Sequence, residues 1–278
     1  MKRFFILLIL LLSVSAYAQR GYASKDAAFV DYLIGNNMEA DAVTLLTRGR
    51  SHASDTLQYL RGWANYSAKR LEDAAAAFDK VPADSPFYDK SLFFNVISNA
   101  HLHNYRRSAE LLGGYKGPFE ELRTLEEAGI ALLEGRRNDY IDAAKGFTFS
   151  QYALTESERA LQGIFDERYN GRSKSPALAA AASAVIPGLG KIYAGEAAEG
   201  VASLLAVGSL AAITAENWTK YGAKDWKTIL FGTLCAAFHI ANIYGSYVSV
   251  SIHNDDLKNV QDTAILYHIH IPLRSVFQ

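Results

Sequence analysis

Apolar positions in the first two thirds of the chain recur at helical spacing, and the pattern itself repeats. Leu71, Ala74 and Phe78 stand three and four residues apart, which puts them on one face of a helix. Tyr105, Ser108 and Leu112 follow 34 residues later, and Tyr140, Ala143 and Phe147 another 35 residues on. A fainter copy begins at Met38 and continues through Asp41 and Leu45. The small Ala74, Ser108 and Ala143 let a neighbouring helix approach closely. Each copy is preceded by a second helical stretch, at Ala28–Ile34, Leu57–Ala68, Ser91–His101 and Leu125–Leu133, with Gly62 and Ala64 placed where paired helices would touch. Asp84-Ser85-Pro86 separates one pair from the next, and Thr155-Glu156-Ser157-Glu158 reads as a capping box that starts a last helix.

The pattern changes after a polar linker at Arg168–Lys174. Gly200–Ala215 is 16 residues without a charge and Thr228–Ile252 is 25, against the roughly 20 that cross a hydrocarbon core. The first run covers only about 24 Å at about 1.5 Å per residue, so its ends draw on Glu199, Glu216 and Trp218. Ser175–Ile186 is too short to span and is stopped by Pro187, which predicts an interfacial half-helix. The turn Pro187-Gly188-Leu189-Gly190 follows, then Tyr193 and Gly195, with Tyr193 suited to the headgroup level. Two stripes of small residues, Ala194, Ala198, Ala202, Ala206 and Thr233, Ala237, Ala241, Gly245, Ser249, are expected to face each other across a packed hairpin. His239, Asn242 and Ser246 share one face of the second span and are expected to meet Lys191, Glu196 or Glu199. That intramembrane polar face leaves two readings, a small working site or hydrogen bonds that fix the hairpin.

The repeated unit resembles tetratricopeptide repeats, helix-turn-helix units of 34 residues, over about 140 residues and best at Gly62–Pro86. The usual aromatic at the start of the first helix is not evident, and a plain helical bundle is the other reading of the same period. The resemblance implies stacked pairs with a concave surface that binds peptides or proteins. The arrangement Pro-Gly-x-Gly-x-x-Tyr-x-Gly, span, polar loop, span resembles the two-transmembrane domain family over about 80 residues. It is also similar to the carboxy-terminal membrane region of bacterial envelope proteins, where a run like Asn242-Ile243-Tyr244-Gly245-Ser246 closes the second span. The family shares no common reaction; relatives linked to membrane-protein insertion factors hint at a role in envelope or membrane-protein assembly.

Composition narrows the class. Half of the residues are apolar and the formal charge is −1, which removes the basic face of a nucleic-acid binder. Met1-Lys2-Arg3, the apolar Phe4–Val14 and Ala16-Tyr17-Ala18 read as a secretory signal at 1–18. Cys235 is the one cysteine, so no intramolecular disulfide forms. The signal carries the repeats to the extracytoplasmic side and leaves Glu216–Lys227, with Lys220, Lys224 and Lys227, in the cytoplasm. The expected architecture is all-α: repeats over 19–172, a membrane hairpin with its half-helix over 173–252, and a polar tail over 253–278 in which Ala264–Ile271 is compatible with a short strand. The repeat core is expected at Gly62, Ala64, Leu71, Ala74, Phe78, Tyr105, Leu112, Tyr140 and Phe147.

No catalytic signature is complete. Gly188-x-Gly190 lacks the strand and third glycine of a dinucleotide loop, Gly190-Lys191 lacks the rest of a phosphate loop, and no nucleophile elbow occurs. His101-x-His103 and His268-x-His270 have no carboxylate or cysteine at ligand spacing, so surface histidines are the expectation and no metal or cofactor is assigned. The reading is a non-enzymatic envelope scaffold or adaptor that binds protein or peptide segments through its repeats and lipid through its hairpin, with self-association through the small-residue stripes left open. The alternative is a small transport or lipid-handling protein using Glu196, Glu199, His239 and Asn242.

Overall fold

The computed structural model describes residues 27–30, 32–48, 55–171 and 173–277; the expected signal segment at 1–18 lies outside them. The fold is all-α, and among the described residues there are no strands. Helical residues 27–30 and 32–35 form α1. It is followed by α2 (Glu39–Arg48), α3 (Asp55–Ser67), α4 (Leu71–Phe78), α5 (Tyr88–His101), α6 (Tyr105–Gly114), α7 (Glu120–Glu134), α8 (Arg137–Ala144) and α9 (Tyr152–Asn170). Then come α10 (Pro176–Val185), α11 (Leu189–Ala194), α12 (Ala197–Tyr221) and α13 (Trp226–Val276). The chain divides into two compact units. One comprises the described residues up to Gly163 together with those from Ala264 on, and the other is Ile164–Thr263.

In the first unit each helix from α2 to α8 packs on the next, and α3 also packs on α5, so the helices form antiparallel pairs laid side by side. The turn within each pair has one construction. Asn37, Lys69, His103 and Gly135 all take positive φ, at 58°, 59°, 59° and 78°. The following N–H then reaches back over the helix end: Met38 to Leu33 O at 2.9 Å, and Arg70 to Asn65 O, Asn104 to Asn99 O and Arg136 to Ala131 O at 2.8 Å. These are Schellman closures, which satisfy carbonyls that the helix end would leave unpaired. The first three copies hold a side chain in a backbone region that favours glycine.

The expected repeat core is buried at Gly62, Ala64, Ala74, Phe78, Leu112 and Tyr140, while Leu71, Tyr105 and Phe147 are part-buried. Gly62 is required sterically, because a Cβ there would enter the Phe78 ring. Ser108 Oγ donates to Val96 O at 2.9 Å and binds α6 to α5. In the faint first copy Met38 and Leu45 are exposed, and Ala42, Val43 and Leu46 form the buried face instead. The last helix begins at Tyr152, three residues before the expected capping box. Glu158, 1 % exposed, accepts from Thr148 N and Phe149 N at 3.3 and 2.9 Å, so its carboxylate ties down the preceding loop.

The residues expected to be a polar tail with a short strand are helical, as the end of α13. Ile265, Ile269 and Leu273 stand four apart and are fully buried in the first unit, so the helical period outweighs the β-like composition. Ile269 lies where Gly129 of α7 lacks a side chain, and the Phe277 ring sits 4.9 Å from Phe119 and 5.7 Å from Phe93.

In the second unit, Ser175 caps α10 by accepting from Leu178 N at 3.3 Å, with Pro176 in the first turn. Gly188, at φ 84°, turns the chain into α11. Helices α12 and α13 are both long and apolar enough to cross a membrane, the apolar part of α13 lying at Thr228–Ile252. In each, 11 % of the most apolar stretch is buried, so neither is the core helix of this unit. The 25 residues of α12 exceed the 16-residue uncharged run because Glu216 and Lys220 continue the helix as an i,i+4 pair. The loop expected at Glu216–Lys227 thereby shrinks to residues 222–225. The start of the expected linker is helical, since α9 runs to Asn170, and Arg168 pairs with Asp262 at 2.7 Å and donates to Gln261 Oε1 at 2.9 Å.

The expected pairing of small-residue stripes does not form. Ala198, Ala202, Ala206, Thr233, Ala237 and Ala241 are exposed. The helices approach instead along Val207, whose carbonyl accepts from Cys235 Sγ at 3.8 Å, and at Gly232 beside Thr214. Gly62→Ala is expected to destabilise the first unit by about 1–3 kcal/mol, the usual cost of overpacking. Gly208→Ala, whose Cβ meets nothing within 4 Å, is expected to be neutral or better. Thermal denaturation of the detergent-solubilised chain separates the two.

Candidate functional site

Two places concentrate polar side chains, one in each unit. In the second unit the polar face of His239, Asn242 and Ser246 is built around α10, which the sequence pattern did not pair with it. The Gly190 N–H donates to Ser183 Oγ at 2.8 Å, Ser183 and Ser246 hydroxyls meet at 2.7 Å, and Ser246 Oγ donates to Asn242 O at 2.9 Å. Since Ser246 spends its proton on Asn242, Ser183 is the donor between the two hydroxyls, and one directed chain of bonds joins α11, α10 and α13. Gly190 has no room for a side chain, because a Cβ would meet Ala179 O and Ser246. His239 Nε2 donates to Ala184 O at 3.2 Å, also on α10.

The expected partners lie elsewhere. Glu196 accepts from Ser249 Oγ at 2.7 Å, one turn beyond Ser246, and Lys191 pairs with Glu199 at 3.5 Å on the exposed side. Tyr193 accepts from Ser175 N at 3.1 Å, Lys174 Nζ donates to Ala194 O at 2.8 Å, and Asn254 donates to Lys174 O at 2.9 Å. Gly195, at φ 110°, ends α11 in the same Schellman closure seen in the repeats, with Glu196 N donating to Lys191 O at 2.9 Å. The Pro187, Gly188, Gly190, Tyr193, Gly195 motif is thus a folded corner that brings α10, α11, α12 and α13 together. Both amide atoms of Asn242 and the Nδ1 of His239 are buried without a hydrogen-bond partner.

In the first unit a cavity of about 680 Å³ opens between α3, α5 and the end of α13. Trp63, Tyr66 and Phe94 form its aromatic wall, with Trp63 and Tyr66 each edge-on to Phe94 at 5.0 Å. Among the described residues, Lys69, Lys90 and Arg274 bring positive charge to it and Glu39 a carboxylate. Lys90 Nζ lies over the Trp63 ring at 5.0 Å and the Tyr59 ring at 5.6 Å, where the ring faces attract a cation. Tyr66 OH and His270 Nε2 are 2.8 Å apart, and the His101 ring stands edge-on to His270 at 6.4 Å. Of the histidines that sequence spacing left on the surface, His101 and His270 line this wall, while His103 stays exposed and outside it. Among the described residues no group of three His, Cys, Asp or Glu comes together.

Electrostatics here are set by burial. Desolvation, then the Arg274 charge and then His101, lower the His270 pKa to about 4; desolvation followed by His103 lowers that of His101. Tyr66 is raised, mainly by burial. Glu126 on α7 is fully buried with neither carboxyl oxygen hydrogen-bonded, and burial alone raises its pKa well above the carboxylate range. Its field also reaches Tyr66. By sequence Glu126 reads, with Glu120, Glu121 and Glu127, as part of a solvated helix face; the fold corrects this, since α7 turns Glu126 inward and buries it completely.

Compared with known proteins, the chain matches no family model, no curated protein and no solved structure.

The shifted groups give pH dependences of opposite sign. His270 is neutral when folded, so its contribution is complete above the ordinary histidine value near 6.5 and is lost as pH falls toward about 4. Glu126 stays protonated when folded, so stability declines as pH rises above its ordinary value of 4.5, where the unfolded chain releases the proton. In melts of the full chain from mildly acid to alkaline pH, Glu126→Gln is expected to gain on wild type steadily as pH rises. A pH-independent difference would rule out the proton linkage.

Proposed function

We propose that this protein is a membrane-anchored scaffold or adaptor of the cell envelope, whose tetratricopeptide-like repeats bind protein segments. In this reading the signal at 1–18 directs the repeats to the extracytoplasmic side. Helices α12 and α13 hold the chain in the membrane as a hairpin of the two-transmembrane type. The cavity in the repeat unit carries the argument. It has the volume, aromatic wall and few charged groups of a binding site, and the surface beside it already accepts a helix from the same chain. A His270 ring hydrogen-bonded to Tyr66 and a neutral, unpartnered glutamate suit recognition better than chemistry.

A photo-crosslinking residue placed at position 69 in growing cells is expected to capture polypeptide, and one at the exposed position 205 of α12 is expected to capture lipid. Protein capture at 205 with none at 69 would move the function into the hairpin.

Asn242 and His239 support a second reading, a transport or lipid-handling role, because buried polar atoms without partners are costly unless something binds them. The double substitution His239→Leu and Asn242→Leu distinguishes the two. Under the scaffold reading, protein level and the position-69 crosslink are expected to persist. Loss of the crosslink at a normal protein level would favour the hairpin.

A further inference from the structure

The cavity beside Trp63 has a composition that selects among protein segments. Among the described residues its charged lining is three cations, Lys69, Lys90 and Arg274, against Glu39. The two histidines do not add to the positive charge at neutral pH, since burial keeps both uncharged. With Tyr66 they form a polar corner in which Tyr66 already bonds to His270. The Arg274 charge is felt in that corner, where it acts on both Tyr66 and His270. The remaining wall is aromatic and aliphatic, with Trp63 edge-on to Phe94 at 75°, a shape that admits a ring or a branched side chain.

The same face shows what it accepts. Leu273 and Phe277, from the end of α13, complete the cavity rim on one side. Leu273 is fully buried and Phe277 packs on two aromatic rings. Large apolar side chains presented by a helix therefore already seat on α5 and its neighbours. A folded domain is too large for 680 Å³, whereas one or two side chains of a segment fit.

We propose that this cavity binds an acidic segment of a partner protein, in which a large apolar side chain enters against Trp63 and Phe94 and flanking carboxylates meet Lys69, Lys90 and Arg274. This inference rests on the scaffold reading and supplies the chemistry of its partner. The cations set preference and on-rate, and the apolar side chain supplies the buried area.

The test uses the full chain in nanodiscs of neutral lipid and three probes. They are a fluorescent peptide with glutamates flanking Leu-Phe, its counterpart with lysines in place of the glutamates, and short-chain phosphatidylglycerol. The acidic peptide is expected to bind at least about tenfold more tightly than the basic one, a difference of about 1.4 kcal/mol, and to weaken with salt. The double charge reversal Lys69→Glu and Arg274→Glu is expected to invert the preference. Lys69→Glu alone, at an exposed turn, is expected to reduce it and serves if the double variant melts early.

Equal binding of both peptides, a preference unmoved by charge reversal, or charge-dependent binding of phosphatidylglycerol without binding of the acidic peptide would each overturn the proposal. If it falls while position 69 still crosslinks to polypeptide in cells, the scaffold reading stands without this partner chemistry. If the crosslink is absent as well, both fall.

Discussion

Burial of the end of α13 is the constraint on which the first unit depends. Ile265, Ile269 and Leu273 are among its fully buried side chains, and stacked helix pairs otherwise have only their neighbours to bury against. Removing these three residues from water contributes about 1.5–3 kcal/mol each, a sum comparable with the net stability of a domain. The helix is held by shape at Gly129, by ring packing at Phe277, and by one hydrogen bond between Tyr66 and His270. Its surroundings keep His270 and Glu126 uncharged, so docking of this segment is tied to proton binding at groups of opposite sign.

The second unit is organised by backbone approach more than by area. Glycine at 190 lets the backbone come against α10 and Ser246, and the freed N–H finds Ser183. One directed run of hydrogen bonds then joins three helices through hydroxyls that would be costly if left unpaired in an apolar setting. A glycine turn that reads in sequence as a flexible corner is therefore fixed on several sides. Asn242, whose carbonyl ends that run, still has an amide without a partner. Its retention at a packed helix crossing is the feature that separates the two functional readings.

The repeat period was legible because positions seven apart recur in each copy, buried or part-buried in the last three and exposed in the first, and the all-α class followed from it. The turn geometry was not. Glycine marks a left-handed closure in only one of the four pairs, and Asn37, Lys69 and His103 reach the same conformation because the following N–H is satisfied by the helix end. The glutamate at 158 was recognised as a capping residue, yet it caps the preceding loop, since the helix begins earlier than the capping-box spacing predicts. The stripes of alanine misled because small size permits close approach without requiring it.

Sequence alone determined local periodicity, the places where apolar runs are long enough to cross a membrane, and the glycines that a tight corner needs. These depend on neighbours within a few turns, and spacing encodes them. Tertiary structure alone decided that Ile269 meets Gly129, that Ser183 meets Ser246 63 residues away, and that His101 and His270 share a cavity wall. Such contacts join helices far apart in the chain, and no local pattern distinguishes a residue that will find a partner from one that faces solvent. The cavity proposed as a binding surface belongs to this second class, which is why its chemistry emerges from the fold and not from a motif.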